Sequence, residues 1–207
     1  MGRSERPDFS FERQALAAGF QPVCGIDEAG RGPWAGPVVA AAVILDPGVI
    51  PPGLNDSKKL TEARREALFD PIMATARVGI GIAEAERIDR DNILAATLWA
   101  MAQAVAQLGP VALALALVDG TYAPKLHCKV TTLIGGDGRS LSIAAASIIA
   151  KVTRDRIMRG HDLTYPQYGF ARHKGYGTAI HAAALKLHGP SPIHRRSFAP
   201  IAALLGR

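Results

Sequence analysis

The chain has 207 residues, of which 48% are hydrophobic, 20% charged and 6% aromatic, and its net charge at pH 7 is +6. A chain of this size and composition can bury a core, which excludes a disordered, collagen-like or low-complexity protein. Its two cysteines are too few to crosslink a domain of this length, so we expect reduced thiols and a cytoplasmic location. The first 20 residues carry charges without an apolar run and predict no secretory signal.

Strand and helix patterns alternate from the first apolar run onward. Apolar runs at 23–27 and 38–45 flank a segment rich in glycine and proline. They predict two neighbouring strands joined by a turn, the second strand being covered on both faces. A helix is predicted from the N-cap Thr61 to about Pro71, followed by a strand over 78–83.

The stretch at 93–118 carries no charged residue and is long enough to span a bilayer. Its first part shows helical spacing and predicts a helix over 93–108, with Asp91 or Asn92 as N-cap. A Gly-Pro pair then predicts a turn, and the remainder predicts a buried strand over 111–118. We therefore expect no contact with a membrane.

The remaining elements continue the same alternation. They are a strand over 126–134, a glycine-rich turn, a helix from about Ser140 to Arg159, a loop over 165–176 and a helix near 178–187. A tail punctuated by prolines follows. Strands that alternate with helices predict an α/β fold built on a central sheet.

Charge is distributed unevenly along the chain. Residues 151–207 hold ten Lys and Arg against two acids, whereas residues 1–150 hold 14 Lys and Arg against 16 acids. This asymmetry favours a polyanionic partner near the C-terminal third, although a solvated basic face would give the same pattern.

Acidic residues stand where predicted strands end. Asp27 and Glu28 follow the first strand, Asp119 follows the strand at 111–118, and Asp137 lies in a glycine-bracketed turn. Carboxylates that converge at strand ends, without His or Cys, are the ligand set that Mg²⁺ takes in phosphate chemistry. Because adjacent strand residues point to opposite faces, Asp27 and Glu28 serve one site only if the strand ends there or if Glu28 also offers its backbone carbonyl. Taken singly, each acid could equally cap a turn.

Two further features could contact phosphate. The segment Gly30-Arg31-Gly32 follows the acidic pair, and its glycines allow a ligand to approach the backbone. On the helix after Asp137, Ser147, Lys151 and Arg154 fall on one polar stripe. A hairpin connection and a solvated helix face are the alternatives.

Several motifs in order resemble bacterial ribonuclease HII, the type 2 ribonuclease H. They are GIDEAGRGPWAGPVVAAAVIL at 25–45, DSKKL at 56–60, LVDG at 117–120, GGD at 135–137, AAASIIAKVTRDR at 144–156, YGFARHKGYGT at 168–178 and PIHRRSF at 192–198. The resemblance spans nearly the whole chain, from about Val23 to Ala199.

The resemblance implies an α/β, RNase H-like fold in which helices flank a central mixed β-sheet and a helical C-terminal extension follows. We expect a partly ordered N-terminal segment at 1–20 and one catalytic domain at 21–207, with a basic helical region at about 160–207. The implied activity is cleavage of RNA in RNA–DNA hybrids and 5′ of single ribonucleotides in duplex DNA, during replication and repair. The products carry 5′-phosphate and 3′-hydroxyl ends, and the two-metal-ion mechanism requires Mn²⁺ or Mg²⁺.

Site residues follow from matching the family's motifs to this sequence. The catalytic and metal-binding acids fall on Asp27, Glu28, Asp119 and Asp137. The backbone of Gly30, Arg31 and Gly32 would read the ribose 2′-hydroxyl, which distinguishes RNA from DNA. Tyr176 resembles the tyrosine that packs on the following deoxyribose.

Further substrate contacts are expected from Lys58, Lys59, Ser147, Lys151 and Arg154. Asp155 competes with the fourth acid, but it lies outside the family's acidic turn, so we expect a structural or ion-pair role for it. Gly135 stands where many relatives have lysine, which removes one possible partner of phosphate or carboxylate.

Two alternatives to this activity stay open from the sequence. One is another RNase H-like nuclease, such as a junction resolvase, and the other is a non-catalytic module that binds nucleic acid. In each case we expect a monomer with no obligate protein partner.

Overall fold

The centre of the protein is a mixed five-stranded sheet. The computed structural model describes residues 6–206, and the parts of the predicted N-terminal segment and C-terminal region at 1–5 and 207 lie outside the described residues. The strands are β1 (Val23–Ala29), β2 (Val38–Leu45), β3 (Ala76–Ala83), β4 (Leu115–Asp119) and β5 (Lys129–Leu133). Their order is β3-β2-β1-β4-β5. The pairs β1–β2 and β2–β3 are antiparallel, and β1–β4 and β4–β5 are parallel.

Helices cover both faces of the sheet. The helices of the described residues are α1 (Ser10–Ala17), α2 (Glu62–Thr75), α3 (Ala85–Asp91), α4 (Ile93–Ala106), α5 (Leu141–Thr164), α6 (Phe170–His173), α7 (Ala179–His188) and α8 (Ala199–Leu204). Apolar side chains of α4 pack on one face, and those of α5 pack on the other. This architecture confirms the expected mixed sheet flanked by helices, with a helical C-terminal part.

Helix α5 crosses β1 in direct contact with its backbone. A Cβ built on Gly25 would lie 2.1 Å from the backbone carbon of Ser142, so glycine is required at the crossing. The crossing places the first turn of α5 beside the strand that carries Asp27. The end of β1 and the start of α5 are thereby fixed relative to each other.

Several sequence predictions are confirmed. Strand β2 lies between β3 and β1, and seven of its eight residues are buried. Asn92 is the N-cap of α4, because its Oδ1 accepts hydrogen bonds from the N–H groups of Leu94 and Ala95 at 3.0 and 3.1 Å. Within residues 6–206, no helix combines the length and the apolar character needed to cross a membrane.

Several element boundaries were wrong. Helix α5, which was predicted to end at Arg159, continues to Thr164. Helix α2 continues through Pro71 to Thr75, because Ile72 is buried and the Thr75 hydroxyl donates to the Pro71 carbonyl at 2.8 Å. Strand β4 begins only at Leu115, since the preceding residues form short turns. Strand β5 is shorter than predicted, spanning Lys129–Leu133. The predicted loop at 165–176 contains α6, since its glycines in the left-handed region bound a helical turn.

The N-terminal helix packs against the start of α5. Glu12 is buried, and its Oε1 accepts hydrogen bonds from the backbone N–H of Ser142 at 2.9 Å and from the hydroxyls of Ser140 and Ser142. Asp8 exchanges backbone hydrogen bonds with Arg139 and Leu141. The described part of segment 1–20 therefore braces the turn that carries Asp137, and the division at residue 20 stays a prediction.

Candidate active site

Asp27 and Asp119 lie on adjacent parallel strands at the same edge of the sheet. The register pairs Ile26 with Val118, so the residue that follows on each strand is an aspartate. Ile26 and Val118 belong to the core under α4. Because side chains alternate along a strand, both aspartates point to the opposite face, which α5 covers.

Asp137 reaches the same place from the turn before α5. The turn comprises Gly136–Gly138, and the N–H of Gly136 donates to Oδ1 of Asp119 at 2.7 Å. Gly135 precedes it with a φ of +62°, in the left-handed region that favours glycine. Gly135, which stands where many relatives have lysine, therefore fits the backbone conformation of this turn.

Three of the four predicted acids converge. Asp27, Asp119 and Asp137 each offer a carboxylate oxygen, and these oxygens lie within 4.8 Å of one another. Glu28 is outside this group, because it follows Asp27 on the strand and points to the α4 face. There it lies 3.5 Å from the guanidinium of Arg31.

Asp119 lies at the end of β4 and lines two cavities, one on the α5 side of the sheet and one on the α4 side. The cavity on the α4 side contains Glu28 and Arg31, with Leu98 and Tyr122 on its wall. Glu28, like Asp119, also lines the cavity on the α5 side, over the acidic group, so it lies beside the three converging carboxylates without joining them. Its predicted role as a fourth metal ligand stays a prediction.

Burial and mutual repulsion perturb these carboxyl groups. Burial raises the pKa of Asp27 well above its ordinary value, and the charges of Glu28 and Asp119 raise it further. Burial also raises the pKa of Asp137, as does Asp119, while Lys58 opposes the shift. The Lys58 ammonium lies 3.4 Å from Oδ2 of Asp137, but its side chain is 79% exposed. One exposed lysine leaves most of this negative charge uncompensated.

The donor set fits a hard divalent cation. The three converging groups are carboxylates, and Mg²⁺ and Mn²⁺ prefer oxygen ligands of this kind. A bound cation would relieve the repulsion that raises the pKa of Asp27, because its charge opposes all three carboxylates. The convergence of buried acids is therefore explained by a metal site.

A cleft of about 240 Å³ opens over the acidic group. Of the thirteen residues predicted to act on substrate or metal, Asp137 and Lys59 are outside its lining. The lining residues are Asp27, Glu28, Ala29, Gly30, Arg31, Gly32, Ser57, Lys58, Asp119, Ser147, Lys151, Arg154 and Tyr176. The fold thus gathers segments that are up to 149 positions apart around one opening.

The loop that carries Lys58 and Lys59 is held from beneath. Arg65 of α2 donates from Nη1 to the carbonyls of Ser57 and Leu60 at 2.9 and 2.6 Å. The hydroxyl of Ser147 on α5 donates to Oγ of Ser57 at 2.6 Å. Both lysines are exposed, and Lys58 lines the cleft.

Lys151 is tied to the ion pair predicted for Asp155. Its ammonium lies 2.7 Å from Oδ1 of Asp155, whose Oδ2 lies 3.9 Å from Arg65. The ion-pair role of Asp155 is confirmed by these two contacts. Lys151 also lines the cleft, at 25% exposure of its side chain.

Arg154 contacts protein backbone and is almost inaccessible. Its side chain donates to the carbonyls of Pro37, Lys174 and Ala35 at 2.9, 3.0 and 3.1 Å, and the residue is 1% exposed. The predicted polar stripe on α5 is therefore largely buried. A contact between Arg154 and phosphate stays a prediction, and this burial disfavours it.

Sequence reasoning missed Arg195. It is fully buried, and its guanidinium donates to the carbonyls of Gly30, Arg31 and Gly36 at 2.5, 2.9 and 3.0 Å. A basic residue in a proline-punctuated tail looks like a solvated charge, so no local pattern singles it out. Its place in the PIHRRSF segment was the one available signal.

Tyr176 lies across the cleft from the glycine-rich loop. Its backbone is held by hydrogen bonds from its N–H to the His173 carbonyl and between its carbonyl and Nδ1 of His181, both at 2.9 Å. Its side chain lines the cleft, and 47% of the residue is exposed. A Cβ on Gly32 would lie 3.8 Å from its ring.

Comparison with known proteins supplies the family. The model of the ribonuclease HII family matches residues 24–201. The chain belongs to the ribonuclease HII family. It is 60% identical over 194 residues to ribonuclease HII of Xanthobacter autotrophicus, covering 94% of this chain and 78% of the relative.

Two solved structures share the fold. The PCNA:RNase HII complex of Archaeoglobus fulgidus has a TM-score of 0.73 and 27% identity, covering 88% of this chain and 96% of that one. Bst-RNase HIII in complex with Mn²⁺ has a TM-score of 0.73 and 19% identity, covering 89% and 69%. The latter likeness concerns the fold alone.

Membership of the ribonuclease HII family establishes the class of reaction. The chain is a ribonuclease H, an endonuclease that hydrolyses RNA in RNA–DNA hybrids, and it depends on a divalent metal. Membership of this family contradicts both alternatives considered from the sequence, a non-catalytic binding module and a junction resolvase.

Replacing Asp27 by asparagine should stabilise the metal-free protein. Because folding raises the pKa of Asp27, chiefly through burial, stability is lost as the pH rises above the ordinary aspartate value of 3.8, and the loss is complete once the pH exceeds the folded-state pKa. In EDTA at pH 7 we expect Asp27→Asn to unfold about 2–4 °C above the parent protein, as roughly 1 kcal/mol of relieved repulsion would produce.

The gain should shrink as the pH falls through the folded-state pKa toward 3.8, the ordinary pKa of an aspartate, and should vanish below it, because Asp27 is then protonated in both states. Thermal unfolding in EDTA across this pH range measures it, with Asp70→Asn, an exposed acid on α2, as the matched control. A lower unfolding midpoint for Asp27→Asn at pH 7 would contradict the electrostatic account.

Proposed function

We propose that this ribonuclease H cuts on the 5′ side of ribonucleotides, both in RNA–DNA hybrids and where a single ribonucleotide is embedded in duplex DNA. The products carry 5′-phosphate and 3′-hydroxyl ends, and the role is removal of ribonucleotides from DNA during replication and repair. The observation that carries the proposal is that Asp27 and Asp119, two of the three converging carboxylates, line one cleft together with the glycine-rich loop and Tyr176. The acidic residues that would cleave the substrate and the two elements that would recognise its sugars thus line the same cleft.

Recognition of the ribonucleotide divides between two elements of the cleft. The backbone of Gly30, Arg31 and Gly32 would bind the 2′-hydroxyl, the group that separates RNA from DNA. The ring of Tyr176 would pack on the deoxyribose that follows. Because Gly32 faces that ring across the cleft, the two elements can address neighbouring sugars.

The acidic residues would hold the metal. Asp27, Asp119 and Asp137 supply converging oxygens, and Glu28 lines the same cleft beside Asp27 and Asp119. Two divalent ions, when bound, would supply activation of water and stabilisation of the 3′-oxygen leaving group. We propose Mn²⁺ or Mg²⁺ because all of the ligands are carboxylates.

The remaining polar residues would position the phosphate backbone. Lys58 and Lys59 are exposed, and Lys58, Lys151 and Ser147 line the cleft. Contacts of this kind orient the duplex without reading its sequence. We expect them to contribute to affinity and to its dependence on salt.

We also propose that the enzyme works in the cytoplasm as a monomer without an obligate protein partner. The relative from Archaeoglobus fulgidus has been solved in a complex with PCNA, so assembly with another protein occurs for that enzyme. For this chain, the monomer stays a prediction.

Asp27→Asn should abolish cleavage and largely spare binding of the duplex. The substitution removes a metal-ligating charge at the centre of the acidic group, and we expect a loss of roughly 10³-fold or more in rate. Single-turnover cleavage and equilibrium binding on the same labelled duplex separate the two effects. Retained cleavage would refute Asp27 as a metal ligand, and Asp70→Asn serves as the control.

Tyr176→Ala should slow cleavage at a single ribonucleotide by about tenfold or more, because it removes the ring that would pack on the deoxyribose. Tyr176→Phe keeps the ring and should retain most of the rate. The measurement is kcat/KM on a duplex with one ribonucleotide. An unchanged rate for Tyr176→Ala would show that the ring does not read the junction.

A further inference from the structure

Two fully buried arginines lie beneath the glycine-rich loop. Arg154 and Arg195 are 1% and 0% exposed, and within residues 6–206 neither has a carboxylate within ion-pair distance. Burying a charge costs free energy unless hydrogen bonds compensate it. An arrangement this costly requires a structural or functional gain.

Backbone carbonyls supply the compensation, and nearly all of them belong to one loop. Arg195 binds the carbonyls of Gly30, Arg31 and Gly36, and Arg154 binds those of Ala35 and Pro37, together with that of Lys174. Five carbonyls of residues 30–37 therefore point inward, toward guanidinium groups and away from the cleft.

This orientation determines where the N–H groups of the loop point. In a trans peptide, the carbonyl and the N–H of one peptide unit point in opposite directions. The peptides that join Gly30 to Arg31 and Arg31 to Gly32 are trans. Because Arg195 draws both carbonyls inward, the N–H groups of Arg31 and Gly32 turn outward.

Two successive N–H groups that point the same way form a concave site for an acceptor oxygen. No atom of residues 6–206 accepts a hydrogen bond from the N–H of Arg31 or Gly32. Both residues line the cleft beside Asp27. The loop thus presents two unpaired donors next to the acidic group.

Glycine at position 30 is part of the same construction. Its φ is +98°, and a Cβ there would lie 2.0 Å from Nε of Arg154. The backbone of Gly30 is therefore packed directly against the Arg154 side chain, which prevents the loop from moving closer to α5. Arg195 holds the adjacent carbonyls in place.

We propose that Arg195 is a positioning residue for ribose recognition: by binding the carbonyls of Gly30 and Arg31, it aims the following N–H groups at the 2′-hydroxyl oxygen. The inference rests on the proposed function of the loop and adds a residue from the C-terminal region to it. Arg154 supports the other end of the loop, through Ala35 and Pro37.

The test compares Arg195→Ala with Arg196→Ala, in which the neighbouring exposed arginine is removed. Dissociation constants are measured, with Ca²⁺ replacing the catalytic ion, for a duplex with one ribonucleotide and for the all-DNA duplex of the same sequence. The ratio of the two constants is the readout. Partial unfolding weakens both constants equally, so the ratio is insensitive to it.

We expect the parent protein and Arg196→Ala to prefer the ribonucleotide duplex by about tenfold, as one or two hydrogen bonds would provide. Arg195→Ala should bind both duplexes with nearly equal affinity. Added guanidinium ion at millimolar concentration should restore part of the preference in Arg195→Ala and leave the other proteins unchanged, because it can occupy the vacated space and bind the same carbonyls.

Three results would overturn the inference, and they can be distinguished. A full preference in Arg195→Ala would show that the loop holds its orientation without the guanidinium. If Arg195→Ala binds both duplexes equally more weakly, with an unchanged ratio and no rescue by guanidinium, the inference is also wrong. The N–H groups would then bind phosphate, or Arg195 would contribute to stability alone. Absence of preference in the parent protein would remove the proposed function of the loop itself.

Discussion

The parallel pairing of β1 with β4 is the constraint on which the site depends. The pairing of Ile26 with Val118 sets the next residue of each strand at the same edge and on the same face, and both of these residues are aspartates. A shift of one residue in either strand would send its carboxylate into the apolar core under α4. The register of two buried strands therefore defines the metal site.

Everything else at the site is attached to that pair. Asp119 accepts a hydrogen bond from Gly136, which ties the Asp137 turn to β4, and α5 begins directly after that turn. Further along α5, Arg154 supports the glycine-rich loop that follows β1. One helix thus connects the acidic group to the element that would read the sugar, while the C-terminal region completes the loop through Arg195.

The acids could be predicted because their signal is local. A carboxylate directly after an apolar strand is uncommon without a compensating cation, and this singled out Asp27, Glu28, Asp119 and Asp137 before any resemblance was used. The separate position of Glu28 follows from strand alternation, once β1 is seen to continue past Asp27 to Ala29. Sequence alone left open where that strand ends.

The two buried arginines could not be predicted in the same way. Arg154 was expected to contact phosphate and Arg195 resembled a charge in a proline-rich tail, because their partners are carbonyls distant in sequence. Arg195 binds backbone more than 150 residues away. Side-chain identity carries no information about such pairings, which exist only once the chain is folded.

The most direct test of the account is to map the products from a labelled DNA duplex that contains one ribonucleotide, on a denaturing gel, with Mn²⁺, Mg²⁺ or EDTA. An all-DNA duplex of the same sequence is the control. The account predicts a single metal-dependent cut immediately 5′ of the ribonucleotide and none in the control. No cut at the single ribonucleotide, in a preparation that cleaves an RNA–DNA hybrid, would contradict it.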